Sequence, residues 1–154
     1  MKKKNSGFTL IELLAVIAII TIISLIAIPN IVGLSDGIRK DNMLDDARKF
    51  IALAKYEVIR NYSIRISDVY EFKLYNFNTN GFVKDENTGE IKDPDGGVYD
   101  YEKSYIKYTK EPKASYCIVL FSSRRHIGSN EECILEGQLH NRDVVKDIED
   151  NSNS

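Results

Sequence analysis

One carboxylate, Glu12, sits inside an otherwise apolar run from Phe8 to Ile28. An acidic side chain in hydrocarbon costs about 2.5 kcal/mol or more, so a residue placed there implies a partner and a task. Four other groups of residues could do chemistry. Cys117 and Cys133 could close a disulfide loop of about 17 residues. Asp85, Asn87, Glu90, Asp93, Asp95 and Asp100 form an oxygen-rich stretch of the kind hard cations prefer. Tyr99, Tyr101, Lys103, Tyr105, Lys107, Tyr108, Lys110 and Lys113, with Arg124-Arg125-His126 further on, interleave rings and cations. Such a strip can stack bases and contact phosphates. His126 and His140 are the chain's two histidines.

Most of these weigh toward plain structure. Gly89 is the fifth residue from Asp85 rather than the sixth, and Gly96 stands where an EF-hand needs its bidentate glutamate. Solvated turns are therefore preferred to a calcium loop, and no metal or cofactor is expected. The Tyr/Lys strip also reads as a run of well-formed surface strands. Glu102 and Glu111 interrupt it, so nucleic acid is kept as the weaker alternative partner. Ser123 beside His126 is loop composition, and there is no Gly-rich phosphate loop, nucleophile elbow or zinc pattern. A membrane-anchored enzyme is the rival from another class, and no catalytic residue is expected.

The elements that must position these groups follow from pattern. Phe8–Ile28 is 21 residues, about 31 Å as a helix, enough to cross a hydrocarbon core. Lys2, Lys3 and Lys4 hold the start on the cytoplasmic side and put everything after Ile28 outside. Leu44, Ala47, Ile51, Ala54 and Val58 then recur at spacings of three and four, one apolar face of an amphipathic helix. Pro29, Gly33 and Gly37 predict a kink or a loosened stretch between the two halves. After Ser67 the pattern becomes strand-like: Val69–Phe77, Gly81–Lys84, Glu90–Lys92, Val98–Tyr108, Ser115–Ser123 and Cys133–Leu139. The fold class is α+β, a long N-terminal helix against an antiparallel sheet. Residues 143–154 read as a polar tail. The divisions are thus 1–7 leader, 8–28 membrane-length helix, 29–66 amphipathic continuation, 67–142 β head and 143–154 tail. In an extracytoplasmic head the Cys117–Cys133 bridge is preferred over two buried thiols.

The start of the chain discriminates further. Its apolar run is too long for a signal peptide, carries Glu12, and ends in Ala27-Ile28-Pro29-Asn30 without an Ala-x-Ala site. A plain anchor explains the length but neither Glu12 nor Ser6-Gly7 before it. Gly7-Phe8-Thr9-Leu10-Ile11-Glu12 after a lysine leader resembles the processing site of type IV prepilins and pseudopilins. That resemblance implies cleavage between Gly7 and Phe8 by a prepilin peptidase and N-methylation of the new Phe8 amine. It further implies assembly with homologous subunits from the cytoplasmic membrane, through an inner-membrane platform, into a pilus or a secretion or competence pseudopilus. Pro29 falls where such helices commonly carry a proline, and Asp93-Pro94-Asp95-Gly96-Gly97-x-Tyr99-x-Tyr101 resembles a turn of many pseudopilins. The family's α+β head agrees with the pattern above, and such heads often carry a staple like Cys117–Cys133. After cleavage Glu12 would lie one turn from the Phe8 amine, its own or a neighbour's, and would set axial register. Losing three of 21 basic residues leaves 18 against 23 acidic ones, net −5, a balance that weighs against general nucleic-acid binding.

Overall fold

The computed structural model describes residues 8–148, with side chains undescribed at positions 25–32. Two compact units divide between Gly37 and Ile38. Helix α1 runs Leu10–Arg60 and remains helical through Pro29, Gly33 and Gly37. In the first unit its described large apolar side chains are exposed on every side, from Leu10 at 77% to Ile23 at 59%. A helix that is apolar all round is stable only when something else covers it, lipid or other chains.

In the second unit α1 becomes one-sided. Met43, Leu44, Ala47, Phe50, Ile51, Ala54 and Val58 are buried, while Asp45, Arg48, Ala52 and Tyr56 face out. The buried stripe packs on a six-stranded antiparallel sheet, which gives the expected α+β architecture. Strands β1 (Val69–Lys73), β2 (Tyr105–Thr109), β3 (Ser115–Phe121), β4 (Arg125–Ile127), β5 (Ile134–Leu135) and β6 (Val145–Asp147) build it. Their order is β1-β2-β3-β4-β6, with β5 also beside β3. Register aligns Phe72, Ile106, Ile118 and Ile134 in one inward row and Leu120, Ile127 and Val145 in another. Phe50 anchors the helix: Phe82 stacks on it at 4.5 Å and the buried Tyr99 ring meets it edge-on at 6.0 Å. A short helix α2 (Tyr62–Ile66), capped by Asn61 accepting from the Ser63 N–H, turns the chain into β1.

Several strands are shorter than the sequence pattern predicts, and side-chain capture of backbone N–H groups explains where they stop. β1 ends at Lys73 because the Asn76 side-chain Oδ1 accepts the Lys73 N–H at 2.9 Å and starts a 3-10 turn. Val98–Tyr108 becomes strand only at Tyr105, since Asp100 accepts from the N–H groups of Glu102 and Lys103. Gly81–Lys84 and Glu90–Lys92 reduce to the isolated bridges Lys84↔Ile91 and Lys92↔Val98. The expected polar tail does not begin at Asp143: Arg142–Val144 is a 3-10 turn and β6 pairs with β4, burying Val145. Val145 and the partly buried Val144 dock on the core, and ion pairs hold the segment beside them, Arg142 with Asp41 of α1 and Lys40 with Asp147. Residues 149–154 of that tail lie outside the described residues.

Candidate functional site

The site is the start of α1. Gly7 and the lysines before it lie outside the described residues; Phe8 is 87% exposed. Thr9 is the cap. Its hydroxyl oxygen accepts the Glu12 N–H at 3.3 Å, and Glu12 Oε2 accepts from both the Thr9 N–H and the Thr9 hydroxyl at 2.8 Å. This is a reciprocal capping box, which satisfies backbone donors that a helix start otherwise leaves open. The carboxylate is thus aimed back along the chain toward Phe8, with its charge at the positive end of the helix. The other described polar side chains of the apolar run satisfy themselves. Thr21 donates to the Ile17 carbonyl at 2.7 Å and Ser24 to Ile20 at 2.8 Å. In an apolar surrounding such internal bonds are required.

Residues 2–28 match the family model of the prokaryotic N-terminal methylation motif. The N-terminus carries the type IV pilin and pseudopilin signature. The motif marks structural pilin-like proteins. No curated protein and no solved structure matches the chain. Among the described residues no helix is long and apolar enough to cross a membrane. The apolar run continues past Ser24 into positions whose side chains are outside the description, as is the Pro29 ring.

The remaining candidates scatter over the head. The Cys117 and Cys133 sulfurs are bonded, with Cα atoms 5.5 Å apart, and tie the 128–133 loop to β3. That loop closes over Val119, and Gly128 at its start has φ +69° and no room for a side chain, with the Glu132 carbonyl 2.6 Å from where a Cβ would stand. The acidic residues do not converge: among the described residues no three His, Cys, Asp or Glu side chains gather as a cation set. Asp85 accepts from the N–H groups of Asn87 and Thr88, which hold its carboxyl below the ordinary range. Lys103 does the same for Asp100, chiefly through its backbone N–H.

Asp93 and Asp95, expected as solvated turn residues, are buried instead. Asp93 accepts from the N–H groups of Asp95, Gly97 and Ser123. Asp95, its side chain fully buried, pairs with Arg125 at 2.8 Å and with Arg39 of α1 at 3.4 Å. Arg125 also reaches Asp147 of β6 at 3.2 Å. The charge expected on the surface at Arg125 is therefore spent inside, tying turn, helix and sheet edge together.

The Tyr/Lys strip does not form one face. Tyr99 and Tyr108 are core residues. The Tyr99 hydroxyl donates to Asp46 at 2.9 Å, and burial with that carboxylate keeps its pKa far above the usual phenol value. Tyr101 accepts the Ile91 N–H, Lys73 covers Tyr105, and Lys103 pairs with Asp100. His126 and His140 donate from Nδ1 to the Gly128 and Gly137 carbonyls, and Ser123 gives its N–H to Asp93. Sequence reasoning missed Thr9 and the Asp95–Arg125 pair. The first was legible as Thr-x-x-Glu before an apolar run; the second joins residues 30 apart and had no local signal.

Proposed function

We propose that this chain is the structural subunit of a type IV pilus-like filament. It is cleaved between Gly7 and Phe8, methylated at Phe8, and assembled through the apolar half of α1. The observation that carries this is Glu12 folded back by Thr9 at the head of a helix whose large apolar side chains from Leu10 to Ile23 are exposed. That surface must stay covered throughout, by the membrane first and by other subunits afterwards, because exposing it to water is costly. Charge at Glu12 supplies register, because a misaligned neighbour would leave it without an amine. The head plays no catalytic part and forms the outer surface. It lies outside the cytoplasmic membrane while the leader lysines stay inside.

The second reading, a secretion or competence pseudopilin, uses the same helix and is favoured by the Asp93–Gly97 turn, which the buried Asp93 carboxylate holds and whose sequence resembles that of pseudopilins. The experiment is a comparison of wild type with Glu12→Ala in cells that assemble the filament. The variant is expected to insert and be processed normally while sheared filament yield collapses. A normal yield would defeat the register role.

A further inference from the structure

An asparagine side chain cyclises onto the next peptide when a small residue follows it, the carboxamide is exposed, and the following N–H is not tied up. The chain contains one Asn-Gly pair, Asn80-Gly81. It sits at the tip of a turn in which the Phe82 N–H donates to the Thr79 carbonyl at 3.3 Å and Gly81 has φ +102°. A positive φ at the third position defines a type II turn. In it the Gly81 N–H takes no part in the turn's own bond, and it makes no hydrogen bond among the described residues. Both residues are exposed, and a methyl group built on Gly81 would meet nothing within 4 Å.

Two Asp-Gly pairs offer related chemistry and are held back from it. Asp36-Gly37 lies within helical α1, and Asp95 is buried against Arg125 while the Gly96 N–H donates to the Asp93 carbonyl. Asn61, Asn76, Asn78 and Asn141 hold backbone N–H groups with their side-chain oxygens, and none precedes a glycine.

We propose that Asn80 is a self-modification site, converting to aspartate and isoaspartate through a succinimide. The Gly81 nitrogen loses its proton to hydroxide and attacks Asn80 Cγ. The N–Cγ bond forms, the Cγ–Nδ2 bond breaks, and the nitrogen leaves as ammonia after taking a proton from water. Water then opens the ring. Cleavage of the N–Cγ bond gives aspartate, and cleavage at the main-chain carbonyl gives isoaspartate. Water is the sole co-reactant, and nothing is oxidised or reduced. The head survives the change because both flanks are anchored: the Phe77 and Phe82 rings pack on Phe50 at 6.4 and 4.5 Å. The neighbouring Gly81 and Phe82 line a cleft of about 350 Å³ together with Asp45, Asp46, Lys49 and Lys92. Each chain thus gains one negative charge with age, whatever machine it serves.

The test uses the full-length protein in detergent, held warm at neutral and at mildly alkaline pH and mapped by peptide mass spectrometry. The peptide holding Asn80 is expected to gain the mass difference between a hydroxyl and an amino group, faster at the higher pH, with isoaspartate present. Asn80→Gln, whose longer side chain cyclises poorly, should keep the same circular dichroism and lose the gain. A folded chain unmodified at Asn80 while the urea-unfolded chain reacts there would overturn the proposal. So would a gain that maps to any other asparagine.

Discussion

At the scale of single residues, the molecule places its charges where removing a partner is expensive. Thr9 and Glu12 share three hydrogen bonds at a helix start, so Thr9→Ala removes one half of a capping box. The expected loss is about 1 kcal/mol of local helix stability. Hydrogen exchange of the protein in detergent should show the amides of Leu10 to Leu13 opening faster, with those beyond Ile17 unchanged. Asp95 is the opposite case, a fully buried carboxylate held by a nearly buried guanidinium. Arg125→Leu leaves it with the longer Arg39 contact at 3.4 Å alone, and breaking the closer half of a buried pair costs up to about 3–5 kcal/mol. Replacing Asp95 by Asn in the same chain should restore part of that, since the stranded charge is gone. Denaturant titration separates the two; equal loss in the single and double variants would mean the charge is not what matters.

At the scale of elements, periodicity made the helix legible. The three- and four-residue spacing of Leu44, Ala47, Ile51, Ala54 and Val58 became the buried stripe of α1. β3 was equally visible as a run of apolar and β-branched residues bounded by Lys113 and Ser122. What escaped were the short strands, β4 and β6, each three residues long and rich in charge. Arg125 takes an inward place of β4 and pairs across the register with Asp147, which is exposed on β6. A buried arginine breaks the apolar alternation on which strand reading depends. Glu12 was legible by its isolation in an apolar run, and Thr9 was overlooked because a threonine in a helical start looks ordinary. The disulfide belongs to this scale too, since it pins the 128–133 loop over Val119. Replacing both cysteines by serine should lower stability by about 3 kcal/mol through the freed unfolded chain. Calorimetry of wild type with and without reductant checks this, and an unchanged melting temperature would refute it.

At the scale of the whole molecule, two different solvents are written into one helix. Up to Ser24 its described apolar side chains ask for cover, and from Ile38 the helix brings its own sheet. The head's outer charges respond to pH in a direction that can be worked out. The hydrogen bond from Arg142 depresses the Asp41 pKa, and backbone N–H groups depress those of Asp85 and Asp100. A carboxyl with a lowered folded pKa stabilises the fold above its unfolded value of about 3.9, and that contribution is lost as pH falls through the folded value. The melting temperature should therefore be level from neutral to mildly acidic solution and drop below about pH 4. Asp41→Asn should lower it at neutral pH and matter little in strong acid; an equal effect at both would contradict the assignment.

The central claim is that the chain is made as a precursor and works from a new end at Phe8. Intact mass with N-terminal sequencing, on protein from native membranes and from sheared surface fibres, tests it most directly. The account predicts a chain beginning at N-methylated Phe8 and lacking residues 1–7, recovered in the fibres. An uncut chain beginning at Met1 in every fraction would contradict it and leave an anchored head with no filament to build.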